Sequence, residues 1–379
     1  MSDPRFPLSR RNFLRLGAAG GAAAALGWAG HAQEAPGRAA SETGAEFITA
    51  ETQAAIDRGL SALARSQLDD GSFSDRFNGA SVGITALAGL ALMSGGHQPG
   101  RGRYGRMVSK ALEYVMASAN GPNPGFLTTP ESQGNTFRGQ GDQKAMYSHG
   151  FGCLFLAEAC GMLPDPARQR KARGVLEQAV AYTVAAQNRE GGWRYDKVPP
   201  TADVSVTVAQ MMALRAAKNA GVFVRKNVID AAAQFVRDCQ TADGGFSYFR
   251  GQGGGRGVYS AFARSAAAIV GLYSAGVYEG KEVEAGLRYL RQFVPGRQFA
   301  LGEIPPKHYY YGHYYAALAM WTAGGEYWSR WFPAIRDELL TKSRQAGGAW
   351  TDPQGTAYAT AMALIILQLP NNYLPILQK

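Results

Sequence analysis

Cysteine is scarce in this chain. The three present, Cys153, Cys160 and Cys239, are an odd number without framework spacing, which excludes a disulfide-stapled scaffold and points to buried free thiols. No long hydrophobic run occurs. The longest, Leu16 to Trp28, is too short and too rich in Gly and Ala to be a permanent membrane span. The Gly-rich run from Gly251 to Arg256 follows no strand and lacks the Lys-Ser/Thr of a phosphate loop. Positive charge is scattered, clustering only at Arg101-Gly-Arg-Tyr-Gly-Arg106, so nothing forms a nucleic-acid module. What is present is apolar: hydrophobic residues make up 46% and aromatic residues 11% of 379, enough for a substantial core.

The first residues read as an address and are set apart from the fold. Ser9-Arg-Arg-Asn-Phe-Leu14, followed by the apolar run and by Gly30-His-Ala32, has the order of a twin-arginine signal peptide. The expected division is a leader over 1–32, a flexible Ala/Gly/Glu-rich linker over 33–46 and one domain over 47–379. Export follows, to the periplasm or beyond, with no integral membrane segment in the mature chain. Removing the leader lowers the formal charge from +10 to +7, a weak preference for an anionic partner.

The domain is built on a repeated turn. Cys239-Gln-Thr-Ala-Asp-Gly-Gly-Phe246 recurs as Gln67-Leu-Asp-Asp-Gly-Ser-Phe73, Gln187-Asn-Arg-Glu-Gly-Gly-Trp193 and a shorter Gln345-Ala-Gly-Gly-Ala-Trp350. Degenerate copies fit at Asn120 to Phe126 and at Gln292 to Phe299. The spacing is about 53 residues, apart from one longer step between the second and third copies, and such periodicity marks a repeat architecture. The extra length, 125–144, is Gly/Gln/Thr-rich and reads as a lid or an insertion.

Between the turns the pattern is helical. The segment before each turn is amphipathic, with apolar residues such as Val228, Ala231, Ala232 and Phe235 on one stripe. The segment after it is apolar all round, as in Ser81 to Met93. A helix without a polar face has to be buried on every side. Six such helices side by side, sheathed by the six amphipathic ones, satisfy this in a closed ring. The expectation is an all-α protein, an α/α toroid of six inner and six outer helices.

The repeated Gln-x-x-Asp-Gly-[Ser/Gly]-[Phe/Trp] resembles the repeats of the squalene cyclase and protein prenyltransferase superfamily, over roughly 50–369. That resemblance implies the toroid and a ligand site inside it. Two catalytic templates of the superfamily are incomplete. Asp203-Val-Ser-Val-Thr207 matches the first Asp and the Thr of the cyclase Asp-x-Asp-Asp-Thr motif, with Ser205 in place of the proton-donating Asp. A hydroxyl of such high pKa does not protonate an alkene. Gly244 to Arg250 is similar to the prenyltransferase diphosphate loop, but the helix that follows, from Tyr259 to Arg264, offers neither the zinc-binding Asp nor the Cys.

Aligning the apolar helices on their terminal Gly places His149, Arg264 and His313 at one height. With Asp203 they are the candidate catalytic residues, and Tyr147, Tyr259, His308, Tyr311 and Tyr315 are the candidate ligand-binding residues. An apolar lower wall is expected from Phe151, Phe155, Met211, Phe262 and Met320. Each histidine has an alternative reading as a satisfied core group, Arg264 as a partner of a backbone carbonyl and Asp203 as a helix cap. His149 and Cys153, at i and i+4, have metal-binding spacing without a third ligand. The residues imply no cofactor. The expected partner is an apolar or isoprenoid-type small molecule in the central cavity, with an amphiphile headed by an anion as a variant. The alternatives are a non-catalytic protein- or peptide-binding toroid and a carbohydrate-active toroid, lyase or hydrolase. No Cys-Gly-Glu-Gln sequence is present for thioester capture, and the inner helices bring few carboxylates, chiefly Glu158 and Asp203.

Overall fold

The computed structural model describes residues 44–75, 79–129, 145–195, 197–251, 259–296 and 308–377. The leader, most of the linker and most of the 125–144 insertion lie outside them. Six amphipathic helices form the outer layer: α1 (Ala50–Arg65), α3 (Gly105–Ala117), α5 (Pro166–Ala186), α7 (Lys226–Asp238), α9 (Lys281–Leu290) and α11 (Gly325–Gln345). Six apolar helices alternate with them: α2 (Val82–Ser94), α4 (Ala145–Cys160), α6 (Val204–Asn219), α8 (Phe262–Ser274), α10 (Tyr309–Ala323) and α12 (Thr356–Gln368). In α2 every residue is buried.

The even-numbered helices pack on one another in chain order, and α12 packs back on α2. The ring is closed. The odd-numbered helices pack outside it, and α11 meets α1. Closure therefore holds in both layers, as a helix with no polar face requires. One feature differs from the expectation of helix alone: Phe73–Asp75 and Gly79–Ser81 form a short antiparallel hairpin, β1 and β2, between the first turn and α2.

The repeated turn is the joint between neighbouring repeats. Gln67 Nε2 donates to its own Gly71 carbonyl at 2.9 Å and to the Met107 carbonyl of the next outer helix at 3.0 Å. Gln187 does the same to Gly191 and Val228, and Gln240 to Gly244 and Glu282. The turn glycine has to be glycine. Gly71 and Gly191 have φ of +90°, and a Cβ on either would sit 2.5 Å from a carbonyl oxygen of the next outer helix. Gly125 keeps this geometry in the degenerate second copy, where a Cβ would meet the Gln178 carbonyl oxygen at 2.6 Å.

The turn also fixes the register of the inner helix that follows it. The backbone N–H of Phe73 donates to Thr85 Oγ1, of Trp193 to Thr207 Oγ1, of Phe246 to Ser265 Oγ and of Trp350 to Thr360 Oγ1. In the second repeat Leu127 N–H donates to His149 Nδ1 at 3.1 Å. These side chains face outward, toward the turns and the outer layer. The positions two residues before them turn toward the ring axis.

The turns that make these five bonds therefore lie at the N-terminal end of the inner helices, which is the mouth of the ring. The chain after α12 runs under the other end. Leu369–Asn371 touches α10, and Pro375–Leu377 touches α6, on the side of the ring opposite α12. This tail crosses the floor of the ring.

Candidate functional site

Tyr147 on α4 and Tyr311 on α10 occupy two of the axis-facing positions. These helices lie opposite each other in the ring, yet the two rings meet edge to face with centroids 6.5 Å apart. One layer deeper Phe151 and Tyr314 meet across the axis at 6.2 Å. Tyr315 stacks beneath Tyr311 at 4.7 Å. The axis is thus lined with, and bridged by, aromatic rings.

Asp203 sits at the mouth as the N-cap of α6. Its Oδ1 accepts from Val206 N–H at 2.8 Å. Its Oδ2 is buried and takes no hydrogen bond among the described residues. Burial pushes this carboxyl up to about 6, with only partial relief from the helix N–H groups, the Tyr248 hydroxyl and Arg194. Tyr248 and Tyr195 are bonded hydroxyl to hydroxyl at 2.5 Å. Tyr147 feels Tyr311, Asp203, Tyr248 and Tyr195 together, and burial raises its phenol well above the ordinary value. Tyr311 lies beside Ser205 and Tyr315, and neither its hydroxyl nor that of Tyr315 completes a well-formed hydrogen bond among the described residues. The result is one carboxyl under a cluster of neutral phenols.

The loop that carries Asp203 is pinned from several sides. Ala202 N–H donates to Glu190 Oε2, Asp203 N–H to the Trp193 carbonyl and Asn188 Nδ2 to the Pro199 carbonyl. Val204 N–H, a first-turn donor of α6, is capped by the Tyr248 carbonyl of the next repeat. Val198 in this loop holds φ of +52°, which a β-branched residue adopts only when its surroundings impose it.

The three residues expected at one height do not converge. His149 faces outward. Its Nδ1 accepts from Leu127, so Nε2 carries the proton and donates to Thr183 Oγ1 of α5 at 2.8 Å, and Thr183 donates onward to the Ala179 carbonyl. Burial pushes this imidazole down to about 3. His313 also faces the outer layer, with its ring 5.8 Å from Trp331 of α11, and burial pushes it down to about 3. Both histidines are core groups filling a position that other repeats give to Thr or Ser. Arg264 is one residue out of that register and donates to the Phe246 and Tyr259 carbonyls. The terminal glycines misled the alignment because the inner helices do not all end at equivalent residues.

The other candidates divide. Tyr147, Tyr311 and Tyr315 lie on the axis. Tyr259 is 79% exposed, and His308 is exposed in a left-handed conformation just before α10. Of the wall, Phe151 faces the axis, whereas Phe155 packs on Gly89 of α2, Met211 lies beside Gly271 of α8 and Phe262 stacks outward on Phe293. Cys153 Sγ is 3.9 Å from His149 Nε2, and burial pushes the thiol up to about 12. No cluster of three or more His, Cys, Asp or Glu suited to a metal exists among the described residues.

Tyr195 and Tyr248 were not anticipated. Each lies two residues after the turn aromatic, Trp193 and Phe246, so comparing the third and fourth copies at that offset reveals them.

The squalene-hopene cyclase C-terminal domain matches this sequence over residues 155–317, and a twin-arginine translocation pathway signal sequence matches over 7–27. Over residues 155–317 the sequence is thus similar to squalene-hopene cyclases. Its twin-arginine signal directs export, to the periplasm or beyond, and no helix among the described residues is long and apolar enough to cross a membrane. The toroid is similar to the type II terpene cyclase MstE from Scytonema, solved with geranylgeranyl dihydroxybenzoate, at 15% identity and TM-score 0.56, over 85% of this chain and 98% of that one. It is also similar to the α-1,6-mannanase GH76A of Salegentibacter sp. HEL1_6, whose inactive variant was solved with α-1,6-mannotriose, at 9% identity and TM-score 0.60, over 84% of this chain and 98% of that one. At these identities the likeness is one of fold. No curated protein matches the sequence.

Proposed function

We propose that this exported, squalene cyclase-like toroid binds an apolar or isoprenoid-type ligand at its axial mouth, with Asp203 as the group that gives or takes a proton there. One observation carries the reading: a buried carboxylate oxygen without a hydrogen bond lies in a ring of tyrosines, where the superfamily motif begins. The aromatic lining suits a tail, and the polar end of the ligand would meet Asp203, Ser205 and the Tyr147 and Tyr311 hydroxyls. The ligand of the Scytonema cyclase, geranylgeranyl dihydroxybenzoate, likewise joins a long apolar chain to a polar head. His149, Arg264 and His313 have no part in it.

A carbohydrate ligand is the second reading. It draws support from the aromatic contacts that bridge the axis, because a sugar stacked on tyrosines at the mouth needs no deep channel. Native mass spectrometry of the mature protein with geranylgeraniol and with mannose oligosaccharides separates the two. A geranylgeraniol adduct that Asp203→Asn weakens supports the first reading. A sugar adduct alone replaces it with the second.

A further inference from the structure

The charge at the mouth is not the one that six helix N-termini suggest. The first-turn donors of α6 are occupied by Asp203 Oδ1 and the Tyr248 carbonyl, and Ile84 N–H of α2 by Ser81 Oγ. The arginines nearby are committed elsewhere. Arg250 pairs with Asp238 at 2.8 Å, and Arg264 donates to two backbone carbonyls. Arg194 donates to Thr201 and lies over the Tyr195 ring at 5.4 Å and the Phe249 ring at 4.9 Å, while its Nε–H is buried without a hydrogen bond among the described residues and its charge is felt by Asp203. An anionic head placed here would face a carboxylate and electron-rich rings. The aromatics of this mouth already hold one cation, Arg194, by their faces.

We propose that the mouth recognises the cationic head of an amphiphile, an alkylammonium whose charge sits above Asp203 among Tyr147, Tyr195, Tyr248 and Tyr311 and whose tail packs on the aromatic rings that bridge the axis. The proposal rests on the reading above that the mouth is the ligand site, and it fixes the charge of the head. Asp203 supplies the counter-charge and has no ion-pair partner among the described residues. The phenols supply ring faces and oxygen acceptors and stay neutral across the physiological range, because burial raises Tyr147, Tyr248 and Tyr311 above their ordinary values. The other charged groups facing Asp203 are Arg194, stacked as described, and Glu190, which accepts from Ala202 N–H.

The test is isothermal titration of the mature protein with octyltrimethylammonium, octanol and octyl phosphate, each below its micellar concentration. Octyltrimethylammonium should bind at least about tenfold more tightly than octanol, the margin of one favourable charge contact, and octyl phosphate should bind most weakly. Its affinity should fall about tenfold between pH 7.5 and pH 5, as the carboxyl of Asp203 takes up its proton. Asp203→Asn keeps a capping side chain, so the fold is retained, and should remove the preference for the cation. Tyr147→Phe keeps the ring face but removes an oxygen acceptor and should bind more weakly than the parent, and Tyr147→Leu, which loses both, more weakly still. Equal affinity for octanol, with no effect of Asp203→Asn on the cation preference, overturns the charged-head assignment and leaves the apolar-ligand reading intact. Stronger binding of octyl phosphate overturns it outright. Failure of all three probes counts against both.

Discussion

At the scale of single residues, the structure separates groups that resemble one another in sequence. Asp203 and the two core histidines are all buried, but burial acts on them with opposite signs. A carboxyl whose folded value is raised contributes most to stability when protonated, and that contribution is lost as pH rises from about 4 to about 6. Replacing Asp203 by Asn should therefore stabilise the protein at pH 7.5, by at most about 3 kcal/mol, and leave it unchanged below pH 4. Denaturant unfolding at the two pH values measures this. An imidazole whose folded value is lowered behaves in the reverse way. His149 and His313 should cost stability as pH falls from about 6.5 toward 3, so the parent should unfold more readily at pH 4.5 than at pH 7. His149→Thr, which places there the residue of three other repeats, should flatten that acid limb. A limb unchanged by the substitution would show that His149 titrates freely.

At the scale of elements, the turn is where sequence is read most directly as structure. Gln240 bridges its own turn and the next outer helix through two hydrogen bonds, so Gln240→Ala should cost about 1–3 kcal/mol, seen as a lower denaturant midpoint. Gly191→Ala should cost more than that. It adds strain at positive φ to a close approach of 2.5 Å to the Ala231 carbonyl oxygen. The six turns, the helix pairs and the closed ring were legible in the sequence because Gln, Gly and the aromatic each do a fixed job at a fixed spacing. The axis was not legible. A helix apolar on every side offers no contrast between the face toward the axis and the face toward the outer layer. Only the bond from each turn to Thr85, His149, Thr207, Ser265 or Thr360 sets that register, and the two histidines disguise it by replacing a hydroxyl. Tyr147, Tyr311 and Asp203 could be named from sequence as polar residues near helix starts. Tyr195 and Tyr248 belong to the turns rather than the helices, and only a comparison of the third and fourth turn copies brings them out.

At the scale of the molecule, closure makes the last repeat part of the first. Gln368 Nε2 of α12 donates to the Ala91 carbonyl of α2 at 3.0 Å, Asn371 Nδ2 donates to Ser94, and Trp350 packs against Gly59 of α1. The tail beyond them forms the floor, and Leu374 in it is buried. Deleting the residues after 368 should lower the melting temperature of the whole domain in one transition, because it strips the buried Leu369 and Leu374 from the ends of the inner helices and removes the Asn371–Ser94 hydrogen bond. Loss of a local signal with the main transition unmoved would mean that the floor is an appendage.

The account turns on the axial mouth as the ligand site, and native mass spectrometry of three proteins incubated with a bacterial lipid extract tests it most directly. The parent and His149→Thr should carry the same bound mass, and Asp203→Asn should lose it. A bound mass that survives in Asp203→Asn and disappears in His149→Thr would place the site on the outward face of α4 and contradict the axial mouth.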